Sequence, residues 1–318
     1  MLLHEVVERV AVSRPEVPAL VHDGAVTTFG DLVRRIHRTA AAVAAATEPG
    51  ARVALIGENH PVWVECMYGV PASGRVLVFL NHRLSSPEVA SIVERSGATA
   101  LIGSTHELER LRAHGAPLPP AVWSFDEWPP TGAAGETGTP TPAGPAWLIY
   151  TSGTTARPKG AVLTHRSLLA AVAVTAAARP AADDDVYLFP FPLCHVAAYN
   201  VVHHHQRGLP VVLIDRFEAG RFAEACGRWG ATSTSVAATM LSAVLDLADA
   251  DADARRSLRT LRTVAYGAAP MPLPVLRRAD ALLGVDLAQG YGMTELSGNA
   301  VFLLSLIHIS EPTRQAEI

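Results

Sequence analysis

The sequence predicts an α/β protein built on doubly wound, largely parallel sheet, arranged in two α/β parts. Three observations predict it. Short apolar runs of strand type alternate with stretches of helical periodicity along most of the chain. The 318 residues, 49% of them hydrophobic, exceed the commonest single-core size and suit one large unit or two packed subdomains. A stretch rich in Pro, Gly and Thr at 127–146 interrupts the alternation and reads as a surface linker.

The elements follow in order. Leu3, Val6, Val7 and Val10 recur at helical spacing. Asp23-Gly24, between Ala19-Leu20-Val21 and Val26, is a hairpin signal. Thr28 and Asp31 resemble a capping box that opens a helix through Leu32 and Ile36. Residues 53–56 and 76–79 are apolar runs of the buried parallel-sheet type. Ser86-Pro87 is expected to cap a helix and place proline at its first position. Gly97 ends that helix, and Ala100-Leu101-Ile102 begins another strand. Beyond the linker, strand-like runs lie at 147–150, 186–189, 210–214, 232–236 and 263–266, with helical stretches between them. The expected organisation is a first α/β subdomain over 1–126, the linker, and a second α/β part over 147–303. No internal repeat is visible.

Composition excludes several classes of function. The net charge is −4, and no run of Lys or Arg appears, which argues against nucleic acid as a partner. Cys66, Cys194 and Cys226 are odd in number and far apart, so neither a disulfide framework nor a zinc site is expected. A reducing cytoplasm fits. Glu5, Glu8 and Arg9 interrupt the N-terminal apolar stretch and argue against a signal peptide. No charge-free run reaches membrane-spanning length. Of the 26 basic residues a single one, Lys159, is lysine. A position that keeps lysine against such a bias is a candidate for needing a compact point charge rather than a planar fork.

The end of the chain changes character. From Leu304 the Ala/Arg/Gly bias stops, and isoleucine, six in the preceding 303 residues, occurs three times in fifteen. The string also resembles one reading frame of a transposase-type sequencing adaptor. Residues 304–318 are therefore expected to be a non-native tail outside the fold.

The strongest chemical signal is Tyr150-Thr151-Ser152-Gly153-Thr154-Thr155-Ala156-Arg157-Pro158-Lys159-Gly160. Four hydroxyl side chains and two glycines crowd one short segment, with Lys159 near its end. Glycine lets backbone N–H groups approach an anion, and hydroxyls add donors. This equipment suits a polyphosphate. It is not a Walker loop, because Pro158 and Gly160 occupy positions that would need Gly and Ser or Thr. A plain Ser/Thr-rich turn is the competing reading. His203-His204-His205 reads as a polar surface turn, since three consecutive residues cannot face one metal ion.

The Thr151–Lys159 segment resembles the phosphate-binding signature of the AMP-forming acyl-CoA synthetase, luciferase and adenylation-domain superfamily. Ala156 stands where the usual form has Gly, which puts the mobility of the loop in doubt. Three further segments resemble the family's signatures in the family's order. These are Pro192-Leu193-Cys194-His195, Tyr266-Gly267-Ala268-Ala269-Pro270 and Gln289-Gly290-Tyr291-Gly292-Met293-Thr294-Glu295. The resemblance covers 1–303 and implies the large N-terminal domain of the adenylate-forming fold.

It implies ATP-dependent activation of a fatty or aromatic carboxylic acid to an acyl-adenylate, then to a coenzyme A thioester. By resemblance, Thr151, Ser152, Gly153, Thr154, Thr155 and Lys159 hold phosphate, Gly267, Ala268 and Ala269 flank the adenine and the carboxylate, and Thr294 meets the α-phosphate. Tyr291 gives a purine a flat face with Gly290 and Gly292 making room, and Glu295 is a hard oxygen ligand for Mg²⁺. His195 either contacts the acyl group or is a packing histidine; both readings stand. The family's ribose-binding acidic residue, hinge arginine and C-terminal domain with its adenylation lysine find no match here. The chain is thus expected to be a truncated, inactive fragment. Two alternatives are an amino-acid adenylation domain and a non-catalytic nucleotide-binding fragment. The first usually has an Asp where Leu193-Cys194-His195 stand.

Overall fold

A computed structural model of the chain describes residues 1–130, 137–151 and 158–304. Its first part runs α1 (Leu3–Ser13), β1 (Pro18–His22), β2 (Ala25–Thr28), α2 (Phe29–Ala46), β3 (Arg52–Ile56), α3 (Pro61–Ala72), β4 (Val76–Leu80), α4 (Ser86–Ser96), β5 (Ala98–Gly103), α5 (Thr105–Ala113) and β6 (Ala121–Ser124). There follow β7 (Pro145–Thr151), β8 (Lys159–Thr164), α6 (His165–Ala178), β9 (Tyr187–Phe189), α7 (Tyr199–His205), β10 (Val211–Leu213), α8 (Ala219–Trp229) and β11 (Ser233–Val236). The last are α9 (Ala238–Ala250), α10 (Ala252–Leu258), β12 (Thr263–Gly267), α11 (Leu273–Leu283), β13 (Asp286–Met293) and β14 (Gly298–Leu303).

Local chemistry explains several boundaries. Asp23 and Gly24 both take positive φ, 46° and 81°, as a tight hairpin between β1 and β2 needs. The Thr28 hydroxyl accepts from the Asp31 N–H at 3.1 Å and starts α2. At α4 the cap is Ser85 rather than Ser86. Ser85 forms a capping box with Glu88, and Pro87 falls in the first turn, where its missing N–H is not needed. Gly97 closes the helix in the left-handed conformation, φ 62°.

The strands form two sheets. One has eight strands in the order β14-β13-β12-β11-β9-β10-β1-β2, the other six in the order β6-β5-β3-β4-β7-β8. Most neighbours are parallel, with antiparallel pairs at β1–β2, β7–β8 and β13–β14. The sheet boundary does not coincide with the 127–146 segment. β1 runs parallel to β10, Leu20 opposite Val211, so an early strand joins the late sheet. β7 runs parallel to β4, Leu77 opposite Trp147, so a strand after the segment joins the early sheet. Each is an apolar strand that needs cover on both faces, and finds it beside a strand distant in sequence.

A helical layer lies between the sheets. Residues of α1, α2, α3, α6 and α7 share one core with Val53, Leu55, Phe79 and Trp147 of the six-stranded sheet and Leu20, Tyr187, Phe189 and Val211 of the eight-stranded sheet. The alternate residues Leu188 and Val212 face the outer core under α8, α9 and α11. On the other sheet, Ala54, Ile56 and Val78 face α4 and α5. Helix α3 is buried on every side from Val62 to Pro71. Among the described residues no helix is long and apolar enough to cross a membrane.

The three consecutive histidines overturn the surface-turn expectation. They form the last turn of α7 inside this layer, each no more than 2% exposed. The His204 ring stacks on Tyr187 at 4.0 Å, and its Nδ1–H donates to the Asn200 carbonyl at 2.9 Å. His205 Nε2 donates to the Ala19 carbonyl, leaving Nδ1 to accept from the Tyr68 hydroxyl, both at 3.0 Å. Neutral imidazoles here act as aromatic filler with polar tips. Burial pushes the pKa of His203 down to about 3 and that of His205 to about 4, and His204 falls as well. His60 and His165 also lie near 4, again mainly through burial.

The unfolded chain therefore takes up protons between pH ~6.5 and ~4 that the folded chain refuses, so stability falls as pH falls through that window. Buried Glu65, whose pKa is raised, opposes the trend with one group against five. Urea midpoints should drop steadily from pH 7 to pH 4.5. A flat profile would mean that these histidines are not buried as neutral rings.

Candidate active site

The cleft opens at the carboxyl ends of β9, β11, β12 and β13, and Arg83, after β4 of the six-stranded sheet, is among its lining. It has a volume of about 740 Å³. Open α/β sheets bind ligands at such strand ends. One wall is the segment after β9, including Phe191, Pro192 and His195; the opposite wall is Tyr266, Gly267, Ala268, Gly292, Met293 and Thr294. Parts of three of the four sequence motifs thus line the cleft.

Asn59, after β3, holds the first wall. Its Nδ2 donates to the carbonyls of Phe191 and Ile214 at 2.8 and 2.9 Å, and its Oδ1 accepts from the Leu193 N–H at 2.7 Å. A single buried amide thereby ties the six-stranded sheet to the loops after β9 and β10. The second wall includes a left-handed non-glycine, Ala268, φ 65°. Such conformations cost about 1–2 kcal/mol and cluster at ligand sites.

The glycines of the last motif serve the chain itself. A Cβ on Gly290 would stand 2.4 Å from Asn299, and one on Gly292 would stand 2.2 Å from the Gly298 carbonyl. They let β13 and β14 approach closely. Tyr291 is 63% exposed, a flat ring open to solvent on β13.

The phosphate motif comes from the other sheet. Thr151 ends β7, and its Oγ1 lies 3.4 Å from Glu295 Oε1 in the 3₁₀ turn after β13. Lys159 begins β8 directly opposite Thr151 in the antiparallel register, and is exposed. Ser152, Gly153, Thr154 and Thr155 lie outside the described residues. So does all of the 304–318 tail except Leu304, which is exposed. The turn carrying Glu295 is anchored by Ser297, whose hydroxyl donates to the Ser167 hydroxyl at 2.9 Å.

Sequence reasoning missed several residues. Arg83 lies in the cleft with His195. Desolvation first, then Arg83 and His82, hold the His195 pKa below its usual value, so the ring is neutral at pH 7. Arg95 brackets the phosphate motif: its Nη2 donates to the Pro158 carbonyl at 2.7 Å, and its guanidinium lies 5.8 Å from the Tyr150 ring centre. Asn59 carries no motif, and only its contacts reveal it. Among the described residues no group of three His, Cys, Asp or Glu is placed to hold a metal ion.

The AMP-binding enzyme family model matches residues 7–317. The chain belongs to the AMP-binding enzyme family. Within that family it is 33% identical over 313 residues to a feruloyl-CoA synthase of Amycolatopsis, covering 96% of this chain and 61% of the relative. It is 31% identical over 318 residues to a long-chain-fatty-acid–CoA ligase of Thermus thermophilus, covering 93% and 58%. An inhibitor-bound N-terminal domain of FACL13 from Mycobacterium tuberculosis superposes with a TM-score of 0.86 at 27% identity, covering 96% of this chain and 79% of that one. The α/β architecture is thus that of the N-terminal domain of adenylate-forming enzymes. The chain spans about 61% of the length of the first of these curated relatives.

Asn59→Leu should lower the unfolding free energy by about 3 kcal/mol or more, because it strands two carbonyls and an N–H in a buried place. Amide exchange at 190–195 should rise in the same variant. Unchanged exchange there would show that the loop does not depend on this side chain.

Proposed function

We propose that the protein activates a carboxylic acid with ATP to form an acyl-adenylate, and then passes the acyl group to a thiol, that of coenzyme A. The observation that carries the reading is the convergence of Thr151 and Glu295, from different sheets, beside a cleft lined by Tyr266–Gly267–Ala268 and Thr294. On this reading Thr151 belongs to a phosphate-holding segment and the cleft takes the acid.

In the first step a carboxylate oxygen bonds to the α-phosphorus, and the bond from that phosphorus to the pyrophosphate oxygen breaks. Two anions must approach, so positioning and charge neutralisation dominate the barrier. Lys159 would supply a point charge near the phosphates, and Thr294 and the Ser152–Thr155 hydroxyls and N–H groups would supply donors. Gly267, Ala268 and Ala269 would flank the adenine and the reacting carboxylate, and Tyr291 would offer its exposed ring to the purine between Gly290 and Gly292. In the second step the thiolate attacks the acyl carbon and AMP leaves. His195, neutral at the cleft wall, would contact the acyl group.

A lone exposed carboxylate beside a hydroxyl fits Mg²⁺, which keeps waters and phosphate oxygens as its other ligands. Glu295 would hold it, and Mg²⁺ would neutralise charge on the phosphates. A reducing cytoplasm is the proposed location, in keeping with three buried free cysteines.

The acid is proposed to lack an α-ammonium group. No Asp or Glu is among the described cleft-lining residues, and burying an unpaired ammonium would be costly. Names of the relatives, a feruloyl-CoA synthase and a long-chain-fatty-acid–CoA ligase, favour an aromatic or fatty acid.

Calorimetry on this chain should detect AMP, and pyrophosphate release by the full-length protein should depend on added acid. Lys159→Ala should lower the release rate more than it weakens acid binding, because charge on the phosphates grows toward the transition state. Equal rates for variant and parent would make the lone lysine incidental. In a substrate panel, fatty and aromatic acids should outrank every α-amino acid; the reverse ranking would overturn the choice of substrate class.

A further inference from the structure

A groove of about 370 Å³ lies beside β8, on the outer face of the six-stranded sheet. Its floor is the β7–β8 hairpin, where Leu148 pairs with Val162 and Tyr150 with Gly160. Glycine is needed at that pair. A Cβ at 160 would stand 2.9 Å from the Leu148 side chain and 3.3 Å from the Tyr150 ring. The ring therefore rests over Gly160. Val162, 61% exposed, carries the apolar floor out to the sheet edge.

Two guanidiniums form the wall. Arg52 opens β3, and Arg95 stands in the last turn of α4. They converge, because Arg52 Nη1 donates at 2.6 Å to the carbonyl of Ser96, the residue after Arg95. Arg95 leans the other way, over Tyr150 and onto the Pro158 carbonyl. Each guanidinium thus spends one of its five N–H donors on a carbonyl. No Asp or Glu is among the described residues that line this groove, and neither arginine makes an ion pair among the described residues. The groove between α8 and the β1–β2 hairpin differs, since Arg221 and Arg228 there have Asp215 and Glu224 beside them. Burial raises the Tyr150 pKa, and the charges of Arg95 and Arg52 act against that rise. Both cations therefore lie near the phenol, which stays protonated at pH 7 and can donate.

Like charges gathered in one concave place, with forked donors to spare, favour an oxyanion that accepts from both. The apolar floor beside them favours an organic body attached to that anion. We infer that Arg52, Arg95 and the Tyr150 hydroxyl form a binding site for a phosphate monoester whose organic part rests on Leu148, Val162 and the Tyr150 ring. The phosphate oxygens accept from both guanidiniums and from the phenol. None of the residues that line this groove lines the cleft. The site is therefore separate from the proposed acid-activating one and does not rest on that reading.

The test uses the 318-residue chain and phenyl phosphate as the probe, with inorganic phosphate and phenol alongside, by calorimetry. Phenyl phosphate should bind tighter than either. Phenol binding as tightly would overturn the anion site, and inorganic phosphate binding as tightly would overturn the role of the apolar floor. Arg52→Met and Arg95→Met should each weaken phenyl phosphate about ten-fold or more, the order expected of a lost hydrogen bond to a charged group. Arg83→Met, in the cleft, should leave it unchanged. Amide exchange on the unsubstituted chain locates the probe independently of any variant. Protection should rise within 95–98 and 159–162 and stay as it was within 190–199. Protection confined to 190–199, or weakening by Arg83→Met alone, would place the probe in the cleft and sink the inference.

Discussion

Everything in the cleft depends on how the two sheets are held against each other, and the Asn59 side chain is the most direct link between them at that level. It projects from the loop after β3 and spends both its amide groups on loops of the eight-stranded sheet. The Thr151–Lys159 segment hangs from β7 and β8 in the first sheet, while the cleft walls after β9, β12 and β13 belong to the second. Thr151 and Glu295 meet across the two. An amide satisfied on both sides in a buried place is directional in a way that apolar packing is not. It therefore fixes where the Pro192–His195 wall stands relative to Thr151.

The shared helical layer sets the other constraint. A helix buried on every side cannot carry charge without a partner. α3 meets this with apolar residues on every side, and its one carboxylate, Glu65, reaches Arg35 at 3.1 Å. α7 meets it with three neutral imidazoles. Both solutions are closely packed. They leave little freedom for the sheets to slide, which protects the approach of Thr151 to Glu295 beside the cleft.

Much of the fold could be read from local chemistry. Asp23-Gly24, the Thr28–Asp31 cap and Gly97 each act within a few residues, and the structure has them in the expected roles. What resisted reading is non-local or lacks contrast. A helix buried all round shows no amphipathic stripe, so α3 is silent to periodicity. The histidine run looks polar because imidazole is polar; its role is decided by Tyr68, Tyr187 and Ala19, which no spacing rule connects to it. The exchange of β1 and β7 between sheets is likewise a matter of which distant strand offers cover. In the candidate site the motif segments were legible as segments, and three of them in part line one cleft. The spacing could not show that the missing side chains of Gly290 and Gly292 also admit β14.

The basic residues show one more level of organisation. Arginine in this chain is used as a fork. Arg262 holds Asp184 through two nitrogens at 2.8 and 2.9 Å, Arg278 spans Asp246 and Asp249, and Arg110 clasps Glu107. Such bidentate geometry is what guanidinium does better than ammonium. Lys159 makes no ion pair among the described residues and stands exposed beside the strand end that touches Glu295. A compact, exposed charge that makes no ion pair among the described residues is what the proposed role beside a phosphate requires. The same physical difference that lets arginine replace lysine throughout the scaffold gives a reason for lysine to persist at this one position.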